Sequence, residues 1–153
     1  MKHASAEIVN RRNRFSPRWS PYAWHTICGL LDLCNLLRTN YKPISNLSMI
    51  EIGSHLGEST CIFAGSGLFK TVWSVDIFNN SGYYEIYEKN RKRNYPDIIH
   101  PIKNTSANAA KEWNNGLVDM IYIDADHNYK SIREDIDLWA PKIKKGGIIS
   151  GHD

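Results

Sequence analysis

Glu51, Gly53 and Gly57 stand in the run Glu-Ile-Gly-Ser-His-Leu-Gly, an acid two residues before the first of two glycines, at the end of an apolar stretch. A second acid, Asp76, closes the next apolar stretch, Thr71 to Val75. A glycine turn between a strand and a helix lets the main chain approach a ligand closely. A carboxylate one strand over can accept hydrogen bonds from ribose hydroxyls. The pairing fits a nucleoside-containing cofactor.

The glycine spacing narrows the class. A dinucleotide fingerprint needs glycine at 53, 55 and 58 to hold a pyrophosphate on a helix N-terminus. This chain has His55 and Glu58 there. Glu58 in a first helical turn suits the helix dipole and repels a phosphate at the same place. The turn also lacks the Gly-Lys-Ser/Thr ending of a P-loop. A nucleoside with a zwitterionic tail and no phosphate remains, and S-adenosylmethionine is such a molecule.

The residues then carry a family resemblance. Glu51 to Thr60 resembles motif I of the class I S-adenosylmethionine-dependent methyltransferases. Val118 to Tyr129, containing Asp124-Ala-Asp126-His127, and Gly146 to Asp153 are similar to a subgroup of metal-assisted sugar and small-molecule O-methyltransferases. The resemblance covers Ser48 to Asp153. It implies a Rossmann-like α/β three-layer sandwich with a mostly parallel sheet of strand order 3-2-1-4-5. Residues 46–153 form the core, and residues 1–45 form a basic and aromatic lead-in with a helix. Sheets of this family carry seven strands, whereas the sequence stops after strand five; the expectation is a core lacking the last two. An uncovered edge at Ile148 and Ile149 would then favour self-association or a partner chain.

The resemblance also assigns roles. Gly53 and Gly57, with Glu51 and Ser54 in the same turn, would line the methionine moiety, Asp76 the ribose, and Ser106 with Ala107 the adenine. Ile77 and Phe78 would wall the base. Asp124, at the end of strand four, would touch the cofactor and, with Asp153, ligate magnesium. His127 would act as base, with Asp126 beside it. A hydroxyl attacking a sulfonium methyl must lose its proton, and an imidazole near its unperturbed pKa can take it. Each assignment has a plain structural alternative: Asp126 as a helix cap, His127 as a turn residue, Asp76 as a cap. Tyr129 and His152 are supporting candidates.

The elements that must position these residues read as follows. A helix runs from near Pro21 to about Arg38, and Asn40 to Asn46 links it to strand one, Leu47 to Ile52. Helices are expected over Glu58 to Gly65, Tyr83 to Asn94, Ser106 to Trp113 and Tyr129 to Trp139. Strands are expected over Thr71 to Val75, Ile98 to Ile102, Val118 to Ile123 and Gly147 to Ser150. The Lys144-Lys-Gly-Gly segment reads as a helix end and tight turn. Strands that alternate with helices and are apolar throughout call for a parallel sheet covered on both faces.

With 153 residues the chain holds one domain. Its net charge of +3 is uneven: through Ser45 there are seven basic and two acidic residues. Arg11 to Arg14 and Arg18, among Phe15, Trp19, Tyr22 and Trp24, raise a nucleic-acid arm as an alternative to a solvated lead-in. The lead-in is the preferred reading, because the run is short and no base-methylating Asn/Asp-Pro-Pro-aromatic signature follows strand four. Cys28, Cys34 and Cys61 show no metal-ligand spacing, which suits a reducing compartment. With neither a leader nor a membrane span evident, the expectation is a cytoplasmic enzyme acting on a small molecule. A non-catalytic cofactor-binding fragment that works through another chain is the competing reading, and a dinucleotide oxidoreductase a distant one.

Overall fold

A computed structural model of the chain describes residues 23–40 and 46–152. Five strands, β1 (Leu47–Ile52), β2 (Phe69–Asp76), β3 (Ile99–Lys103), β4 (Val118–Ile123) and β5 (Ile143–Gly151), form one sheet of order β3-β2-β1-β4-β5. All four strand pairings are parallel. The helices are α1 (Ala23–Asn40), α2 (Glu58–Gly65), α3 (Tyr83–Asn94), α4 (Ser106–Glu112) and α5 (Tyr129–Trp139).

Every residue of β1 and β4 is buried, as the centre of a parallel sheet demands. Alternate side chains feed two cores. Met49, Val72, Met120 and Tyr122 pack against Leu30, Cys34 and Leu37 of α1, Phe63 of α2 and Tyr87 of α3. Ile50, Ile52, Val75, Ile121 and Ile123 pack against Ala109 and Ala110 of α4 and Trp139 of α5. The result is the expected three-layer sandwich. Helix α1 contributes directly to the first core.

Several boundaries move. Strand β2 starts at Phe69, because a register shift after Leu47 lets Phe69 pair with Leu47 and leaves Lys70 as the extra residue. Strand β3 runs to Lys103, which pairs with Asp76, and α4 ends at Glu112. Strand β5 departs most from expectation: Lys144 to Gly147 lie inside it, not in a helix end. Val118 faces Ile143 while Met120 faces Ile148, so the extra residues form a bulge, with Gly146 at a φ of 79°. Lys144 holds this bulge by bonding Asp119 at 2.8 and 2.9 Å. Asp119 in turn accepts from the Ser48 amide at 2.8 Å, tying β1, β4 and β5 together at the end of the sheet away from the glycine turn.

The chain runs outward from β1 through β2 to β3, then returns across β1 to β4 and β5. The strand order therefore reverses between β1 and β4, and the crevice beyond the carboxyl ends of those strands is where open sheets bind ligands.

Candidate functional site

A cleft of about 600 Å³ opens at that reversal, within the roughly 300 to 1,000 Å³ usual for small-molecule sites. It is bounded by the turn after β1, the ends of β2 and β4, and the first residues of α2 and α4. Ile27 and Leu30 of α1 supply an apolar wall that the sequence did not announce.

The turn after β1 is dictated by close approach. Gly53 has a φ of 91°, and a Cβ there would lie 2.1 Å from the carbonyl oxygen of Asp124. Gly57, with a φ of 82°, sits against the Tyr87 ring, 2.8 Å from where its Cβ would be. The turn closes with the Gly57 amide donating to the Ser54 carbonyl at 2.7 Å. These glycines are thus required by packing as well as by any ligand.

Asp76 does more than face a ribose. One carboxylate oxygen accepts from the His55 amide at 2.8 Å, the other from the Phe78 amide at 2.7 Å. Both donors have a φ of 47°, a left-handed conformation uncommon for side-chain-bearing residues. Asp76 therefore clamps two strained loops over the cleft. Each of its oxygens keeps a lone pair for a ligand. Ile77 is half-exposed at the cleft, but Phe78 is buried against Tyr84 and Tyr87 and walls nothing. The left-handed turn at Phe78 reverses its direction into the core.

Glu51 is fully buried beneath the turn and accepts from the Thr60 hydroxyl of α2. Its other oxygen has no partner among the described residues. Burial pushes its pKa up from 4.5 to about 7 against the opposing Ser59 and Thr60 hydroxyls, with Asp124 and Asp76 adding to the rise. The Ser54 hydroxyl, on the cleft wall, is also buried and unpartnered.

At the β4 side, Asp124 Oδ1 lies 3.9 Å from His127 Nε2 and 3.8 Å from His152 Nδ1. His152 is fixed there because its amide donates to the Ile123 carbonyl at 3.1 Å, extending the β4–β5 ladder. Burial raises the Asp124 pKa, and the histidines on either side oppose it. Asp126 is occupied locally: it accepts from the Asn128 amide at 3.2 Å, the Asn128 side chain and the Ser131 hydroxyl, building the turn that starts α5. The cap of α5 is Asn128, whose side chain accepts from the Ser131 amide. Tyr129 is 80% exposed and does not line the cleft.

Ser106 lines the cleft at the start of α4, but its hydroxyl donates to buried Asp135 and accepts from Trp139 Nε1 at 2.9 Å. Its side chain is spent on holding α4 to α5; Ala107 follows it, half-buried and not among the residues that line the cleft. A signal for this existed: Asp135 and Trp139 sit four apart on the inward face of α5. Asp153 and the segment 1–22 lie outside the described residues, so the second magnesium ligand and the basic arm are not placed. Among the described residues no group of three His, Cys, Asp or Glu is arranged to hold a metal ion. None of their helices is long and apolar enough to cross a membrane.

Residues 50–153 match the family profile described as a methyltransferase domain. The chain is 26% identical to protein R132 of Acanthamoeba polyphaga mimivirus over 133 residues, covering 78% of this chain and 56% of that one. It is also 26% identical to protein y4gI of Sinorhizobium fredii over 116 residues, covering 69% of this chain and 13% of that one. Both relatives are uncharacterized, and the chain spans only part of each. An O-methyltransferase from Bacillus cereus, solved in complex with SAH, superposes with a TM-score of 0.68 at 19% identity, covering 96% of this chain and 63% of that one.

Proposed function

The chain belongs to the methyltransferase domain family, and on that premise we propose that it binds S-adenosylmethionine and transfers the methyl group to a hydroxyl of a small molecule or sugar. The observation that carries the cofactor is the make-up of the cleft. Glu58, Asp76, Asp124 and Asp126 line it, and no lysine or arginine does among the described residues. That suits a ligand with a net positive charge and no phosphate. The buried Ser54 hydroxyl has no hydrogen-bond partner among the described residues and so is free to bond a ligand.

When bound, S-adenosylmethionine supplies a methyl group on a positively charged sulfur. Gly53 and Gly57 would bring main chain against its methionine moiety, Asp76 would take the ribose with its remaining lone pairs, and Ile77 and Ser106 would border the base. His127 takes the proton of the acceptor hydroxyl. Asp124, beside it, stabilises the imidazolium that forms. Asp126 fixes the turn that carries His127. The rate advantage comes mainly from holding sulfur, methyl and oxygen in line. Magnesium draws no support from the described residues, and no step here runs through it.

Calorimetric titration tests this reading, with NAD as control and with magnesium present or absent. S-adenosylmethionine and S-adenosylhomocysteine are expected to bind saturably and NAD not to bind. Asp76→Ala is expected to weaken cofactor binding by about 100-fold or more, because it removes a ligand group and unclamps two loops at once. His127→Ala is expected to bind cofactor as the parent does and to lose about 100-fold or more of the rate at which S-adenosylhomocysteine is formed over a panel of hydroxyl compounds. Tight NAD binding, or full turnover by His127→Ala, would overturn the assignment.

The outer edge of β5, where Ile149 is 40% exposed, supports a proposal that a second copy or another polypeptide covers it. Sedimentation at the mass of one chain over micromolar concentrations would count against self-association.

A further inference from the structure

Three acids outside the cleft are paired with cations. Glu88 pairs with Arg91 and Lys92, Asp137 with Arg133, and Asp119 with Lys144. The four acids of the cleft lining have no such partner among the described residues. Asp124 lies near His127, His152 and His55, Glu58 lies near His55, and neither Glu58 nor Asp76 forms an ion pair with a lysine or arginine among the described residues. Asp126 is satisfied by uncharged donors, the Asn128 amide and side chain and the Ser131 hydroxyl. The chain as a whole is net positive at +3, so the negative cleft is a local arrangement and does not follow from overall composition.

We infer that the acceptor hydroxyl sits on a part of its molecule that is neutral or cationic, and that a carboxylate or phosphate beside that hydroxyl excludes a compound. This rests on the cleft being the methyl-transfer site and names the class of acceptor it takes. The physical basis is that a charge entering a cleft with low-dielectric walls feels the unpaired carboxylates strongly. Asp124 and Asp126 line the end of the cleft beside His127, whose Nε2 is 3.9 Å from Asp124, and there the proposed base would meet the hydroxyl. An anion there meets two carboxylates and no lysine or arginine of the cleft lining. An ammonium meets two acceptors. The unpartnered, buried Ser54 hydroxyl on the same wall is an independent sign that this surface is shaped for a polar ligand.

Three catechols that differ in one substituent test the inference: 3,4-dihydroxybenzylamine, 3,4-dihydroxybenzyl alcohol and 3,4-dihydroxybenzoate. Each is titrated into the full chain saturated with S-adenosylhomocysteine, at low salt and at physiological salt. The amine is expected to bind about 10-fold or more tighter than the carboxylate, with the alcohol between. The gap is expected to shrink at higher salt and in Glu58→Gln and Asp126→Asn. Equal binding, a lead for the carboxylate, or no binding by any of the three overturns it. The series is repeated on the chain without S-adenosylhomocysteine, so that failure of the cofactor to bind is distinguished from failure of the charge preference.

Discussion

Gly53→Ala is expected to destroy the cleft and to cost about 4 kcal/mol or more of stability. Two penalties act together. A side-chain-bearing residue at a φ of 91° is strained, worth roughly 1 to 3 kcal/mol. The new methyl would also lie 2.1 Å from the Asp124 carbonyl oxygen, 2.6 Å from its carbon and 2.7 Å from the Ala125 Cα. All three are main-chain atoms, so no rotamer change relieves the overlap, and forced backbone shifts cost a further ~1 to 3 kcal/mol. Three strands meet there, the central β1 and its neighbours on either side: the Asp124 amide, just after β4, donates to the Ile52 carbonyl at 2.8 Å, and the Gly53 amide to the Val75 carbonyl of β2 at 2.8 Å. Separating them opens the point where the strand order reverses. Thermal melting checks the size, since about 4 kcal/mol lowers the midpoint by roughly 10 °C in a domain of this length. Gly67→Ala is the control, because Gly67 also has a positive φ but nothing lies within 4 Å of its would-be Cβ. A Gly53→Ala protein that melts beside Gly67→Ala and still binds cofactor would refute the packing account.

The same turn illustrates what a sequence discloses. Glu51, Gly53 and Gly57 are legible because a strand, a left-handed turn and a helix follow one another within a dozen residues, and local chemistry governs each. Strands β1 and β4 are legible because burial on both faces leaves a continuous apolar run. Strand β5 is misread at its start because its bulge is held by Lys144 reaching Asp119, and that pairing is set by the sheet and absent from the local spacing. Ser106 is placed at the cleft correctly, yet its hydroxyl turns away to Asp135 and Trp139, residues of the next helix. Phe78 shows the same limit: its left-handed backbone, fixed by Asp76, decides that the ring enters the core. The α1 wall, Ile27 and Leu30, is invisible from sequence because an amphipathic helix announces which face it buries but not which part of that face borders a cleft.

Glu51→Gln is expected to remove a pH dependence of stability that the parent shows between pH 5 and pH 8. The Glu51 carboxyl is fully buried, accepts from Thr60, has the Ser59 hydroxyl beside it, and leaves one oxygen unpartnered among the described residues. Its pKa rises from 4.5 to about 7, first because burial penalises the charge and then because Asp124 and Asp76 add like charge. A raised carboxyl pKa means that the folded state holds a proton that the unfolded chain has already released. The stabilisation from that proton is complete below about pH 4.5 and is lost as pH climbs through about 7. The loss tends toward about 3 kcal/mol at high pH. Glutamine keeps the shape and an acceptor for Thr60 but cannot ionise. Its unpartnered amide costs something, equally at every pH. Urea unfolding at pH 5, 6, 7 and 8 should therefore show the parent falling relative to the variant as pH rises. Other acids with raised pKa values, buried Asp135 and half-buried Glu58 among them, titrate in both proteins, so the difference between the two curves isolates Glu51. Parallel curves would mean that Glu51 is ionised in the fold throughout. A cationic cofactor favours the carboxylate form, so adding S-adenosylmethionine to the parent should flatten its curve toward that of Glu51→Gln, and a neutral thioether analogue should flatten it less.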